Sequence, residues 1–211
     1  MPNFRKEKEL WKKGFKRVTG LDEVGRGPLA GPVVAAAVIV DFRSYNLRRL
    51  FIKDSKKLTP KKREEFYKIL TKHPAIKWGI GRVSERVIDK INILEATKLA
   101  MKRAMKKLKI RPDFLIIDGN FKINLNLPQK AIVKADEKVF SCAAASIIAK
   151  VTRDKIMLRY HKKYPRYGFN QHKGYPTKLH RKMLRKYGPC RIHRRSFKTV
   201  KACKLKQHLL N

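Results

Sequence analysis

Four acidic residues stand at the ends of apolar, strand-like segments of the sequence. Asp22 and Glu23 follow RVTGL, Asp118 follows FLII, and Asp136 follows AIVKA. A carboxylate that leaves water at such a place loses several kcal/mol of hydration unless it is paired or binds a cation. A nearby lysine or backbone amide could satisfy any single one of them. Four acids from three separate segments favour a shared metal centre instead.

The oxygen-only donor set indicates which metals would bind. Hard divalent cations such as Mg²⁺ and Mn²⁺ select carboxylate ligands, and two of them can activate a water and stabilise the leaving oxygen of a phosphodiester. We therefore predict that these acids are both catalytic and metal-binding, with Mg²⁺ or Mn²⁺ as cofactor and two ions present with substrate. The predicted set is Asp22, Glu23, Asp118 and Asp136.

The charge of the chain predicts its partner. The 211 residues include 54 lysines and arginines against 16 acids, a formal net charge of +38. Such a balance is typical of proteins that bind a polyanion, above all nucleic acid. No stretch approaches the ~18 apolar residues of a membrane-spanning helix, so we expect no membrane association. We also expect a monomer.

Cysteine usage favours the cytoplasm. Three cysteines without a framework spacing, and an N-terminus without an apolar signal region, suit a reducing compartment. Cys190 and His193 are spaced like two zinc ligands. A second pair with matching spacing is missing, so ordinary thiols are the preferred interpretation.

The acids are unevenly distributed, which predicts a division of the chain. The last one is Asp154, whereas residues 155–211 contain eighteen lysines and arginines interleaved with seven aromatic residues. We predict a basic N-terminal extension, an α/β body and a basic C-terminal appendage that binds substrate. Their ranges are 1–15, 16–160 and 161–211.

Periodicity and turn residues predict an α/β fold with a mixed sheet flanked by helices. Thr59 and Pro60 are typical of a helix start. Because neighbouring strand residues point to opposite faces, we expect the backbone to bend at Asp22 and Glu23, with Gly25 and Gly27 allowing it. The predicted strands are ~16–22, ~32–40, 75–84, 113–118 and 130–136, and the predicted helices are ~60–72, ~84–109 and ~139–163.

Several sequence blocks together carry a resemblance to a known family. They are GLDEVGRGPLAGPVVAAAV, DSKKLTPKKREEFY, LIIDGN, KADEKVFSCAAASIIAKVTRD, and HKGYPTKLH with HRRSF, over about residues 16–200. In this order they resemble the type 2 ribonuclease H family, ribonuclease HII. The resemblance implies a ribonuclease H-like fold with a C-terminal helical appendage and metal-dependent cleavage of RNA in RNA–DNA hybrids. It also implies incision on the 5′ side of single ribonucleotides embedded in duplex DNA, leaving a 3′-hydroxyl and a 5′-phosphate.

The resemblance also implies roles for individual residues. The four acids match the metal-binding carboxylates of the family. Gly25-Arg26-Gly27 matches the turn whose backbone reads the ribonucleotide 2′-hydroxyl and the scissile phosphate. Tyr175, in HKGYPT, matches the tyrosine that packs on the following deoxyribose. Ala135 stands where bacterial members usually have glycine, and we expect activity to be retained.

Without the resemblance, plainer interpretations remain open for these residues. The two glycines could simply punctuate a strand, and Tyr175 could pack the appendage. Lys56, Lys57 and Lys173 are predicted phosphate contacts, although a run of charges is usually a solvated face.

Two other functions are compatible with parts of the sequence. A non-catalytic, ribosomal-type RNA-binding protein would explain the charge, but it leaves the acids at strand ends unexplained and predicts no dependence on Mg²⁺. Another nuclease or an integrase of the same fold would share the acids and differ in substrate.

Overall fold

The sheet is mixed and five-stranded, as predicted. The computed structural model describes residues 1–41 and 58–208, with the backbone alone for 204–208. Strands β1 (Val18–Val24), β2 (Val33–Val40) and β3 (Ile76–Val83) form an antiparallel meander, and β4 (Phe114–Asp118) and β5 (Gln129–Ile132) continue from β1 in parallel. The spatial order is β3-β2-β1-β4-β5.

Helices cover both faces of the sheet. They are α1 (Arg5–Lys12), α2 (Pro60–Lys72), α3 (Glu85–Lys106), α4 (Phe140–Lys163), α5 (Phe169–His172), α6 (Lys178–Tyr187) and α7 (Lys198–His208). Alternate residues of β2 enter two apolar layers: Val34, Ala36 and Val38 pack with α4, and their neighbours pack with α3. This explains the uninterrupted apolar run VVAAAVIV, since a strand covered on both faces needs no polar side. None of the described helices is long and apolar enough to cross a membrane.

The predicted helix start at Thr59 is confirmed, whereas the long helix after Ser84 is not continuous. Thr59 Oγ1 accepts a hydrogen bond from the amide of Lys62, with Pro60 as the first helical residue. Within α3, Asn92 has a φ of 64° and caps the next turn through its side chain, which accepts from the amides of Leu94 and Glu95. The Asn92 side chain supplies the acceptor that the following turn needs, and the helix kinks there.

Two predictions near the acids were wrong in detail. Strand β1 stays regular through Val24, with Asp22 opposite Ala36 and Glu23 opposite Ala35, so the backbone does not bend at the acidic pair. The chain turns one residue later, at Gly25. The segment predicted as a strand over 130–136 pairs only as far as Ile132, and Asp136 lies in a one-turn 3-10 helix, Ala135–Glu137, that leads into α4.

The N-terminal segment is tied to the start of α4. The amide of Asn3 donates to the carbonyl of Lys138 and the amide of Phe140 donates to the carbonyl of Asn3, both over 3.1 Å. Glu7 is buried, and its Oε1 accepts from the amide of Ser141 at 2.8 Å and from the Ser141 hydroxyl at 2.9 Å. A carboxylate from α1 therefore caps the helix that follows Asp136.

Candidate active site

Three aspartates meet at one edge of the sheet. Asp22 lies near the end of β1 and Asp118 ends β4, and these strands run parallel side by side, so their carboxyl ends lie together. Asp136 reaches the same place from the turn after β5. One oxygen from each of the three carboxylates lies within 4.8 Å of the other two. Asp22 and Asp136 are buried, and Asp118 is half-buried.

Backbone and side-chain donors fix this arrangement. Asp118 Oδ1 accepts from the amide of Ala135 at 2.9 Å, which joins the end of β4 to the turn carrying Asp136. Asp22 Oδ1 accepts from the amide of Glu23 at 2.7 Å, and Asp22 also bonds the Ser146 side chain of α4. The left-handed conformation in this turn belongs to Lys134, with a φ of 57°. Ala135 therefore needs no glycine at its position.

Glu23 lies beside the three aspartates rather than within the group. Its Oε1 is 3.5 Å from Nη1 of Arg26, and it lines the same cavity as Asp22 and Asp118. Its Oε2 is buried and has no hydrogen-bond partner among the described residues. Alternation along β1 separates the two side chains, and the cavity at the strand end is open to both.

The site concentrates negative charge, and the ion pair of Arg26 with Glu23 offsets part of it. Burial, followed by the charges of Glu23 and Asp118, raises the pKa of Asp22 well above its ordinary value. Burial raises the pKa of Glu23 to about 7, with Asp118 adding to the shift and Arg26 opposing it. Clustered carboxylates of this kind become stable as anions when they share a cation. An all-oxygen donor set of aspartates and a glutamate fits a hard divalent ion.

A cavity of about 310 Å³ opens over the carboxylates. Gly25 is buried with a φ of 101°, and a Cβ there would collide with the Arg153 guanidinium. Gly27 is exposed, and a Cβ there would meet no atom within 4 Å. The lining residues are Asp22, Glu23, Val24, Gly25, Arg26, Gly27, Arg63, Asp118, Ser146, Lys150 and Tyr175.

Two buried arginines hold the glycine turn and the segments next to it. Arg194 donates to the carbonyls of Gly25 at 2.6 Å, Arg26 at 3.0 Å and Gly31 at 2.8 Å. Arg153 of α4 donates to the carbonyls of Pro32, Ala30 and Lys173 at 3.0, 3.1 and 2.9 Å. Sequence reasoning missed both, because an arginine that satisfies backbone carbonyls looks the same in a basic sequence as one on the surface.

Tyr175 lines the same cavity as the acids. The residue is 37% exposed, and Lys150 Nζ and Arg153 Cζ lie 6.0 and 5.8 Å from the centroid of its ring. Lys173 turns its amino group to the carbonyl of Asn170.

Two predicted lysines cannot be placed at the cavity, and three residues that line it were not predicted. Lys56 and Lys57 lie outside the described residues. Arg63, Ser146 and Lys150 line the cavity and were not predicted, although all three fall within the sequence blocks that carry the family resemblance.

Comparison with known proteins decides the family. A family model described as Ribonuclease HII matches residues 19–200. The chain belongs to the ribonuclease HII family. A ribonuclease HII of Syntrophus aciditrophicus is 51% identical over 198 residues, covering 94% of this chain and 91% of the relative. A second, from Caldicellulosiruptor bescii, is 50% identical and covers 92% of each chain.

A solved structure supports the same assignment. The crystal structure of ribonuclease H2 from Pyrococcus horikoshii OT3 superposes with a TM-score of 0.76 at 29% identity, covering 91% of this chain and 99% of the other. As a ribonuclease HII, the chain is a ribonuclease H endonuclease that depends on divalent metal and acts on RNA–DNA hybrids. The ribonuclease H-like fold is confirmed, and the non-catalytic RNA-binding alternative has no support.

Proposed function

We propose that this ribonuclease HII also incises duplex DNA on the 5′ side of a single embedded ribonucleotide. The observation that carries the proposal is the position of the glycine turn. Gly25, Arg26 and Gly27 line the same cavity as the carboxylates, so exposed backbone lies next to a site suited to metal. Only the 2′-hydroxyl distinguishes one ribonucleotide from its DNA neighbours, and a backbone without Cβ atoms can approach that group closely.

The four acids are the proposed metal ligands and catalytic residues. Asp22, Asp118 and Asp136 would hold the ions together, with Glu23 reaching from the adjacent position on β1. Mg²⁺ or Mn²⁺, two ions with substrate bound, would activate the attacking water and stabilise the leaving oxygen. The protein side of the reaction is to keep these carboxylates deprotonated and fixed, which the amides of Ala135 and Glu23 assist.

Substrate recognition is proposed for two groups of residues that line the cavity. Gly25-Arg26-Gly27 would contact the ribonucleotide and the scissile phosphate, while Tyr175 would pack on the next deoxyribose. A half-exposed ring beside cationic groups is suited to that contact. Lys56, Lys57 and Lys173 remain proposed phosphate contacts.

The larger organisation is proposed on the same grounds. The segment from residue 161 onward would serve as the substrate-binding appendage, 16–160 as the catalytic domain and 1–15 as an N-terminal extension. Tyr175 and Arg194 link that appendage to the catalytic cavity, which supports this division. A monomer in the cytoplasm remains our prediction for the state and location of the enzyme.

The test is cleavage of a DNA duplex that contains one ribonucleotide, beside an all-DNA duplex. We expect the wild type to cut only the first, on the 5′ side of the ribonucleotide, and to stop when a chelator is added. Asp118→Asn removes one anionic ligand and should lower kcat by at least about 100-fold, while hybrid binding stays near wild type. Glu95→Gln is the matched control, since Glu95 is exposed and pairs with Lys98 at 2.7 Å.

Either of two results would reject the proposal. One is cutting of the all-DNA duplex at a comparable rate, and the other is wild-type cleavage by Asp118→Asn.

A further inference from the structure

Three histidine side chains pack together beneath Tyr175. The rings of His172 and His180 are stacked, with centroids 4.4 Å apart and planes inclined by 13°. The His180 and His193 centroids lie 5.3 Å apart, and Phe169 contacts the ring of His180 edge-on. All three histidines are buried, and none of them lines the catalytic cavity.

Hydrogen-bond donors fix the proton positions on two of these rings. The backbone amide of Cys190 donates to Nδ1 of His193 at 3.0 Å, and the Cys190 thiol lies 3.2 Å from the same nitrogen. An amide can only donate, so Nδ1 of His193 must be the unprotonated nitrogen and Nε2 must carry the proton.

The direction of hydrogen-bond donation continues from His193 through His180 to Tyr175. Nε2 of His193 lies 3.1 Å from Nε2 of His180, so His193 donates and His180 accepts there. His180 must then carry its proton on Nδ1, which lies 2.9 Å from the carbonyl oxygen of Tyr175. The result is a one-way chain of donors from Cys190 through two imidazoles to the backbone of Tyr175.

This series of hydrogen bonds requires that the imidazoles of His180 and His193 both be neutral. A second proton on His180 would sit on Nε2 and face the Nε2–H of His193, and a second proton on His193 would sit on Nδ1 and face the Cys190 amide. Burial lowers the pKa of His180 to about 4 and that of His193 to about 3, so both rings are neutral near pH 7. Burial also raises the pKa of the Cys190 thiol to about 11, which keeps it protonated.

In this geometry Nδ1 of His193 accepts a hydrogen bond from the Cys190 amide, as in a turn and not as in a zinc pair. The Cys190 sulfur lies against Nδ1 of His193, whereas His180 lies against Nε2 of the same ring. The Cys190 sulfur and the His180 ring therefore face different nitrogens of His193, so the three side chains do not converge on one ion. The spacing that resembled a zinc pair belongs to a turn that orients an imidazole.

The Cys190 end of this series of hydrogen bonds is anchored to the segment that follows the glycine turn. His193 pairs with Ala30 in an isolated β-bridge, and the amide of Arg194 donates to the carbonyl of Leu29 at 2.8 Å. The amide of Leu29 in turn donates to the carbonyl of Gly174 at 2.8 Å. The segment after the glycine turn and the segment that carries Tyr175 are thus linked through one backbone and imidazole network.

We propose that His180 and His193 are positioning residues that set Tyr175 relative to the Gly25-Arg26-Gly27 turn, and so contribute to recognition of the RNA-to-DNA junction. The inference rests on the proposed role of Tyr175 as the residue that contacts the deoxyribose. Neither histidine touches substrate; each acts through the carbonyl of Tyr175.

The kinetic test is a double-mutant cycle on the duplex with one ribonucleotide. We expect His180→Leu to raise KM and lower kcat/KM by about tenfold, as loss of an orienting hydrogen bond commonly does. The same substitution in a Tyr175→Ala background should have no further effect. His180→Asn keeps a donor near the Nδ1 position and should recover activity to within about threefold of wild type.

A structural role alone predicts a different pattern. If His180→Leu costs the same factor with or without Tyr175, or if it leaves KM unchanged, the positioning role is overturned.

The proton assignments can be tested in the wild type without any activity. Long-range ¹H–¹⁵N spectra of the imidazoles at pH 7 should show His193 protonated on Nε2 and His180 on Nδ1. The opposite tautomer on either ring would overturn the inference even if the enzyme cuts normally. A protein with the expected tautomers that fails to cut at an embedded ribonucleotide would instead reject the proposed substrate.

Discussion

The two glycines of the turn next to the carboxylates differ in what surrounds them. Gly25 is buried in a left-handed conformation, and Arg153 fills the space a side chain would need. Gly27 is exposed, with open space where its Cβ would stand. The first glycine is therefore required by the fold, while nothing in the described protein requires the second.

Because only Gly25 is required by the fold, a substitution at Gly27 tests substrate recognition without disturbing folding. We expect Gly27→Ala to change the free energy of unfolding by less than about 0.5 kcal/mol, while kcat/KM on the embedded ribonucleotide falls by about 10- to 100-fold because the methyl group keeps the sugar away. Urea unfolding and steady-state kinetics measure the two effects. Gly25→Ala should lose stability as well, since it clashes inside the protein. Full activity of Gly27→Ala would contradict a close approach of this backbone to substrate.

At the scale of elements, α1 and α4 depend on each other through Glu7. The helix α4 begins just after the turn that carries Asp136, and its first amides need acceptors that the helix cannot supply. Glu7 Oε1 accepts from the Ser141 amide, and a negative group is favourable at a helix N-terminus.

Removing this cap should weaken the fold measurably. Glu7→Ala is expected to lower the free energy of unfolding by about 2 kcal/mol, because a buried amide and hydroxyl lose their acceptor. Glu9→Ala is the control on the same helix, since Glu9 pairs only with exposed Arg5 and Lys6 on the surface of the described chain. Equal urea midpoints for Glu7→Ala and wild type would show that α4 does not need the cap.

At the scale of the whole molecule, the charge of +38 should dominate the salt dependence of binding. Each duplex phosphate neutralised by a lysine or arginine lowers log K by about 0.9 per decade of salt. With about six such contacts, hybrid affinity should fall by about 10³-fold between about 50 and about 200 mM KCl. Fluorescence anisotropy with Asp118→Asn, which should bind without cutting, gives the slope directly. A nearly flat plot would mean that few of these cations contact the duplex.

The histidine network should also appear in the pH dependence of stability. The folded-state pKa values of His180 and His193 lie below the ordinary value of 6.5, so the unfolded chain binds more protons as the pH falls. The stabilisation is complete above about pH 6.5 and is lost towards pH 4, with a slope of up to about 1.4 kcal/mol per pH unit for each group. We expect the unfolding free energy of His180→Asn to fall less steeply than that of wild type over this window. Parallel curves would contradict the assignment.

Features that depend on local sequence patterns could be predicted, whereas features that depend on contacts between distant segments could not. The four acids and most elements were visible because apolar runs and their terminal residues are local. Asp136 was placed on a strand, since only pairing with β4 shows where β5 ends. Arg153, Arg194 and the buried histidines were missed because their roles arise from contacts across more distant parts of the chain.

We infer that carboxylates from β1, β4 and the turn before α4 together bind divalent metal. Anomalous diffraction from crystals grown with Mn²⁺ tests it most directly. We expect a strong peak about 2.2 Å from oxygens of Asp22, Asp118 and Asp136, which disappears or weakens sharply in Asp118→Asn and persists in Glu95→Gln. A peak elsewhere, or an unchanged peak in Asp118→Asn, would contradict it.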